Sequence, residues 1–225
     1  DRDGLEVVRS AIQQMDHLVN QLFIPDTLLL AESYKGDGIN TGDLNDWSRI
    51  GEGLGNFMTF GEFPQTDGIS RTGLLVPQGA ILNRDLSTIY PVDPETPEQI
   101  QEYVSHSWYN YSVGKNAPLH PYDGETMPNY TGPSADRKDG YPDDAFDVEG
   151  SYSWIKSPRW SGHAMETGPL ARINLMLASG NRDVASLINN ALQRLELDQT
   201  ALYSSLGRTL ARNLETQLFS GSLQT

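Results

Sequence analysis

The side chains that could do chemistry in this sequence are dispersed. Four histidines, His17, His106, His120 and His163, are far apart in the chain, and no His-Glu-x-x-His pair or nucleophile elbow is present. The chain contains no cysteine, which excludes disulfides, thiolate nucleophiles, zinc thiolate sites and iron-sulfur ligation by these residues. A thiolate-bound metal would therefore need ligands from outside this sequence.

Two short motifs approach known binding loops without matching them. The segment GEGLGN at 51–56 has Asn56 where a dinucleotide-binding loop needs its third glycine, and no clear strand precedes it. A calcium loop that begins at Asp37 would place Ile39 where an oxygen ligand is required. Both segments are better interpreted as turn-forming sequence.

Charge and hydropathy narrow the class of protein. The chain has 225 residues, enough for a sizeable core, and its formal net charge of -14 argues against binding nucleic acid or an anionic membrane surface. The sequence contains no run of 18 apolar residues, so it predicts no membrane-spanning helix. Because the sequence opens at Asp1 without a methionine and runs at once into a helical pattern, we expect it to be part of a longer protein.

Apolar periodicity in the first half predicts one helix and a small sheet. Apolar residues from Leu5 to Leu22 recur at three- and four-residue steps, and Pro25 is expected to interrupt this helix. The Gly- and Asp-rich segment 35–68 predicts irregular structure, whereas short apolar runs in 73–92 predict two or three strands. Thr96, followed by a proline and a glutamine, predicts a helix that ends near position 106.

The second half is expected to be coil and then helix. The Tyr- and Pro-rich segment 109–150 has no sustained period and predicts a long coil. Helices are predicted from Pro169 to Gly180, over 183–195, and from a cap at Asp198 to about Phe219. No linker divides the chain, so a single domain is the simplest interpretation.

Five ordered segments carry a family resemblance. The segments are GAILNRDLSTIYPVD at 79–93, EYVSHSWYNY at 102–111, LHPYDGETMPNYTG at 119–132, SYSWIKSPRWSGHAMETGPLAR at 151–172 and SSLGRTLAR at 204–212. In this order and spacing they resemble the middle of the large, catalytic subunit of nickel-iron hydrogenases of the uptake, membrane-bound type. The resemblance implies an α+β fold that is predominantly helical, with a small sheet and long irregular loops. Residues 1–225 would be the central part of one domain, without the N- and C-terminal metal-binding segments.

The resemblance also implies an activity and its cofactors. Subunits of this family oxidise dihydrogen to protons and electrons at a nickel-iron centre, which carries diatomic ligands and is held by two Cys-x-x-Cys pairs, and the intact subunit also holds magnesium. This chain has neither cysteine pair. We therefore expect it to supply scaffold and groups around the metal sites, and to be inactive and free of these cofactors when alone.

The implied partners are a small subunit with iron-sulfur clusters and the family's maturation factors. Through the small subunit, the protein is expected on the periplasmic side of the bacterial cytoplasmic membrane. By resemblance, the HPYDGET loop lies towards the small subunit. We expect His106, Trp108, His120 and Tyr122 at this interface, with a self-contained packed loop as the alternative.

The resemblance assigns one pair of residues to the surroundings of the magnesium ion. Glu102 and Lys156 match a glutamate and a lysine that hydrogen-bond waters around that ion. A structural salt bridge is the alternative. For Glu166 and Arg172, in the segment METGPLAR, we expect a fixed turn with an ion pair in preference to catalysis.

Two other functions remain open on the sequence alone. A relative of the hydrogenase subunit without catalytic activity could serve in assembly, since the cysteines are absent. An acidic, tyrosine-rich chain could also belong to a carbohydrate-active module, with Asp143 and Asp144 as paired carboxylates. Cysteine pairs in the flanking sequence would identify the enzyme.

Overall fold

The computed structural model describes residues 2–36, 50–64, 73–96, 98–102, 104, 106–111, 120, 126–128 and 150–223. The chain divides into two compact units. Unit 1 consists of Asp1–Pro91 and Glu166–Thr225, and unit 2 of Val92–Met165. Unit 1 holds all the helices of the described residues, whereas unit 2 consists of short strands and irregular segments.

Unit 1 begins with a long helical segment that has a widened turn. Helix α1 (Arg2–Leu18) passes through a π-helical turn (Val19–Phe23) into α2 (Ile24–Gly36). The interruption predicted at Pro25 takes the form of this π turn, and the chain stays helical through the proline. The π turn ends two residues before the proline, and π turns and prolines are recognised places for a helix to deform without ending.

A β-hairpin follows in unit 1. Strand β1 (Phe57–Pro64) pairs antiparallel with β2 (Leu74–Ile81), with Phe57 opposite Ile81. Strand β2 lies within the predicted strand region, whereas β1 lies in the segment that we expected to be irregular. The first two residues of β1, Phe57 and Met58, are apolar and fully buried, and their burial stabilises the strand although glycine and proline within it weaken the strand pattern in the sequence.

Three helices complete unit 1. Helix α3 (Pro169–Ala178) begins with a proline. Helix α4 (Arg182–Leu195) is capped by Asn181, whose side chain accepts hydrogen bonds from the backbone amides of two residues in the first turn. These two helices confirm the predictions. Asp198 caps a 3-10 turn (Gln199–Tyr203), and the last helix, α5 (Ser205–Ser222), has its own cap at Ser204.

The core of unit 1 lies between the hairpin and the helices. Its fully buried side chains come from β1, β2, α3, α4, the 3-10 turn and α5, and include Phe57, Val76, Ile173, Leu202 and Leu214. Each buried side chain of this size contributes about 1.5–3 kcal/mol. None of the helices of the described residues is long and apolar enough to cross a membrane.

Unit 2 contains five short strands within its described residues. Strand β6 (Pro158–Trp160) lies between β3 (Ile100–Glu102) and β7 (His163–Ala164), and β4 (Tyr109–Tyr111) pairs with β5 (Thr126–Pro128). All of these pairs are antiparallel. The small sheet agrees with the expected α+β class. Most of the predicted coil at 109–150 lies outside the described residues, but β4 and β5 correct it locally.

The prediction of a helix that begins at Thr96 is wrong. The Thr96 hydroxyl donates to the Asp93 carboxylate at 2.8 Å, and the Asp93 amide donates to the side chain of Gln99 at 3.0 Å. These bonds close one turn. The chain then extends into β3, because Ile100 is buried opposite Trp160 in the sheet.

Candidate functional site

The sheet of unit 2 brings Glu102 and Lys156 together although 54 positions separate them. Glu102 ends β3 opposite Pro158, which places Lys156 just before the partner strand. The Lys156 Nζ donates to Glu102 Oε1 at 2.8 Å, and both side chains are between a quarter and a third exposed. The Lys156 Nζ also lies 5.6 Å from the ring centroid of Tyr109, where the ring attracts the cation.

Aromatic side chains surround this ion pair. Trp154 contacts Trp108 and Tyr109, each with ring centroids 5.2 Å apart, while His106 stacks on Tyr152 at 5.9 Å. Two backbone bonds hold these segments side by side, from the Trp108 amide to the carbonyl of Ser153 at 3.0 Å and from the Tyr152 amide to the carbonyl of His106 at 2.9 Å. His106 and Trp108 therefore belong to one aromatic cluster.

Part of this cluster faces solvent in the isolated chain. Tyr152 is 70% exposed, Ile155 is 68% exposed and Trp154 is 38% exposed. Polar-tipped aromatic side chains of this kind are enriched where proteins meet. Sequence reasoning did not single out Tyr152 or Trp154 individually, although both lie in the segment SYSWIKSPRW.

The remaining interface predictions have different surroundings. His120 is 5% exposed, and its Nε2 lies 3.2 Å from the carbonyl oxygen of Pro94. This contact orients the imidazole within unit 2. Tyr122 lies outside the described residues, as do Asp143 and Asp144 of the carbohydrate hypothesis.

In unit 1, Arg208 joins three parts of the chain. Its Nε and Nη2 donate to the two carboxylate oxygens of Glu166 at 2.6 and 2.7 Å. Its Nη1 donates to the carbonyls of Gly51 at 2.7 Å and Tyr203 at 2.6 Å. The planar guanidinium can make all four hydrogen bonds simultaneously, whereas a lysine ammonium does not have donors in this arrangement. Arg208 thus fixes the irregular segment 50–56 against α5.

Arg84 holds the same segment from the other side. It follows Asn83 in a tight turn after β2, and both residues have positive φ, 53° and 61°, as a type I′ turn requires. Arg84 forms an ion pair with Glu52, donates to the carbonyl of Gly53 at 3.1 Å, and lies 4.5 Å from the ring centroid of Tyr203. These contacts offset the cost of placing a non-glycine residue in this conformation.

A third arginine links α3 to α5. Arg172 makes a two-pronged ion pair with Glu215, which is buried, and its Nη1 donates to Glu62 at 3.3 Å. The hydrogen bonds that Arg172 donates to the Glu215 carboxylate raise the pKa of Arg172, and burial opposes this effect. The expected ion pairs of Glu166 and Arg172 do form, but with partners on α5. No local sequence pattern indicates these pairs, because 42 and 43 positions separate the partners.

The residues of this chain do not fit a nickel-iron centre. That centre requires soft thiolate ligands, and the sequence has no cysteine. Among the described residues, no group of three or more His, Asp or Glu side chains could hold a metal ion. Glu102 and Lys156 do not fit direct metal ligation either, because the carboxylate is paired with an ammonium group. They fit only hydrogen bonding to water molecules around an ion.

Comparison with known proteins gives consistent matches. The sequence profile of the nickel-dependent hydrogenase family matches residues 1–225. The chain is 40% identical over 219 residues to the uptake hydrogenase large subunit of Rhizobium leguminosarum bv. viciae, covering 96% of this chain and 35% of that protein. It is 35% identical over 228 residues to the hydrogenase-1 large chain of Escherichia coli K12, covering 99% and 36%.

Solved structures support the same fold. The Ni-Fe-Se hydrogenase of D. vulgaris Hildenborough matches with a TM-score of 0.68 and 24% identity, over 100% of this chain and 40% of that one. The Dm. baculatum Ni-Fe-Se hydrogenase matches with a TM-score of 0.68 and 22% identity, over 99% and 39%. The chain thus spans about a third of the length of the curated relatives it matches.

Proposed function

Because the chain belongs to the nickel-dependent hydrogenase family, we propose that the complete protein is the large subunit of an uptake hydrogenase and oxidises dihydrogen to protons and electrons. The observation that carries the proposal is the match of the whole chain to this family, together with relatives that are named uptake hydrogenase large subunits. Thiolates from flanking sequence would hold the nickel-iron centre. These 225 residues would supply the frame around it.

The ion pair of Glu102 and Lys156 gives this frame a specific role. We propose that the pair orients water molecules around a magnesium ion in the complete subunit. One N–H of the Lys156 ammonium points at Glu102 at 2.8 Å, and an ammonium group has three donors, so others remain for water. Magnesium keeps several of its waters, so groups that fix those waters raise its affinity without touching it.

The aromatic cluster of unit 2 supports a partner surface. We propose that Tyr152, Trp154 and Ile155, together with His106 and Trp108 that contact them, pack against the small subunit that accepts the electrons. An exposed aromatic patch is costly to leave in water, and its members are fixed by ring stacking before a partner arrives. Contacts of His120 and Tyr122 with the same subunit stay predictions.

The remaining assignments follow from the proposed activity. The small subunit would carry iron-sulfur clusters that take up the electrons, and maturation factors would install the metals. The protein would lie on the periplasmic side of the membrane and contact the membrane through its partners. The relatives named uptake hydrogenase large subunits support this placement only by their likeness to the chain.

The test compares the complete protein, purified with its small subunit, with the isolated 225-residue chain. We expect stoichiometric nickel and hydrogen-dependent dye reduction in the complete protein, and neither in the isolated chain, which has no thiolate ligand. A complete protein that lacks nickel and activity would instead favour the assembly role.

A variant separates the magnesium proposal from a structural salt bridge. Lys156→Gln in the complete protein is expected to lower the affinity for magnesium by about 10- to 100-fold, as substitutions around a metal's ligands typically do, while nickel content is unchanged. Arg182→Gln, at an exposed site on α4, is the matched loss of one positive charge. Unchanged magnesium in Lys156→Gln would leave the pair with a structural role only.

A further inference from the structure

Polar side chains of α5 bond to the first helical segment on both sides of Pro25. The Gln217 Nε2 donates to the side-chain oxygen of Asn20, in the π turn, at 2.6 Å. Beyond the proline, the side-chain amide of Asn213 donates to the hydroxyl of Thr27, in α2. Asn213 is fully buried, so this bond lies in the interior of unit 1. One face of the π turn and one face of α2 therefore both lie against α5.

The covered side chains of α1 and those of α2 would be out of phase in one uninterrupted α-helix. Each set consists of the buried or half-buried residues on its side of the π turn. The first set is Ile12, Met15, Asp16, Val19 and Asn20, and the second is Ile24, Pro25, Thr27, Leu28 and Ala31. At about 100° per residue, the mean directions of the two sets would differ by about 120° around the helix axis.

The π turn removes most of this difference. The Ile24 amide donates to the Val19 carbonyl five residues back, whereas an α-helical turn closes over four residues. The turn thus holds one extra residue, which corresponds to about 100° of rotation. Because of this extra residue, the two sets point in nearly the same direction and both face α5.

An uninterrupted α-helix would present a different face of α1 to α5. With α2 in its observed position, the residues of α1 that point towards α5 would be Glu6, Gln13 and His17. All three are exposed in the structure. The same rotation would turn the apolar side chains of Met15 and Val19 away from α5. It would therefore bring polar groups into the contact and remove apolar ones from it.

Pro25 disfavours the uninterrupted helix. A proline inside an α-helix removes one hydrogen bond, and its ring clashes with the carbonyl four residues back, which here is that of Gln21. We propose that the π turn is a conformational device that sets the rotation of α1 about its own axis, with Pro25 excluding the α-helical alternative. The device determines which face of α1 the complete subunit buries, and it does not depend on the proposed activity.

Deletion of one residue from the π turn tests this proposal. Gln21 is exposed, and its removal makes Ile24 the fourth residue after Val19, as in an α-helical turn. The complete subunit, purified with its small subunit, is prepared with Gln21 deleted and with the same deletion combined with Pro25→Ala. Amide hydrogen exchange of α1 is the measurement, because it reports how often the helix opens from its packed position.

The two variants should differ. The deletion alone should speed exchange in α1 by at least about tenfold, because the shortened chain needs an α-helical turn and Pro25 opposes it. With Pro25→Ala added, the α-helical turn forms and keeps both faces on α5. Exchange should then return to within about threefold of the unmodified subunit. The control deletes Asn190, which is exposed on α4; exchange in α4 should be faster with or without Pro25→Ala.

Three results would overturn the proposal. Normal exchange after the deletion alone would show that Pro25 does not exclude the α-helical turn. Fast exchange that persists when Pro25→Ala is added would show that the extra residue does not set the rotation of α1. Rescue of the Asn190 deletion by Pro25→Ala would show a general stabilisation unrelated to the π turn.

Discussion

Replacing Arg208 with lysine tests whether guanidinium contacts hold the segment 50–56. Arg208 makes four hydrogen bonds, two to Glu166 and one each to the carbonyls of Gly51 and Tyr203. A lysine keeps the charge but cannot reach all four acceptors. Hydrogen bonds of charged groups contribute about 1.5–3 kcal/mol each when buried.

The expected magnitude follows from the exposure of the pair. Arg208 and Glu166 are each about a quarter exposed, so solvent screening reduces the loss. If lysine retains two contacts and the other two are lost at the lower end of the range, opening the segment becomes easier by about 2–3 kcal/mol. Since 1.4 kcal/mol is a factor of ten, local opening should increase by roughly 30- to 140-fold.

Hydrogen exchange measures this opening directly in the complete subunit. The reporters are backbone amides that donate to the segment, namely Ser205 to the carbonyl of Ile50 and Arg84 to the carbonyl of Gly55, both at 2.8 Å. Under conditions where reclosing is faster than exchange, their protection should fall by the same factor in Arg208→Lys. Arg212→Lys, at an exposed site one turn farther along α5, is the control.

Two results would refute the reasoning. Protection of the two reporter amides within about threefold of the unmodified protein would show that the guanidinium geometry contributes little, since a threefold change is below 1 kcal/mol. An equal loss of protection throughout α3 and α4 would mean that the substitution loosens the core of unit 1 as a whole. Only a loss confined to the segment and its donors supports the clamp.

Two further substitutions test the start of α5 and the turn before it. Gly207→Ala should destabilise the complete subunit by about 1–3 kcal/mol or more, because the added Cβ would overlap the backbone of Ala201 and Leu202; Gly221→Ala, with open space around it, is the control in thermal unfolding. Asp198 has its pKa below the ordinary value because the hydroxyl and amide of Thr200 donate to it. Its stabilising effect should be complete above about pH 4 and be lost as the pH falls through the lower folded-state pKa. The difference in urea midpoint between the unmodified subunit and Asp198→Ala should shrink in that range, and a difference independent of pH would contradict this.

The sequence predicted a helix correctly where an apolar period coincides with residues that mark the helix ends. For α3 and α4, an apolar period is bounded by Pro169 at the start and by Gly180 and Asn181 between them, so local chemistry and packing agree. The error at Thr96 shows the converse. Its capping pattern is real, but burial of Ile100 in a sheet outweighs one turn of helix propensity.

The candidate site could be predicted only in part, because its contacts join distant positions. Glu102 and Lys156 were found through the family resemblance, and no local period links residues 54 positions apart. The contact of Arg208 with Gly51 spans 157 positions. Such contacts depend on the complete packing of a unit. The sequence gives the side chains available for them, and tertiary structure selects the partners.

The distribution of positive charge explains why these arginines are not interchangeable with lysine. The chain has 16 basic residues against 30 acidic ones, so carboxylates outnumber the cations that could pair with them, and charge alone selects few partners. Arg84 and Arg208 also donate hydrogen bonds to backbone carbonyls of one glycine-rich segment. A point charge such as the lysine ammonium would not orient these carbonyls in the same way. The directed hydrogen bonds of the guanidinium groups, more than their charge, therefore fix this segment. Replacing arginine with lysine separates the two contributions, because lysine keeps the positive charge and loses the planar set of donors.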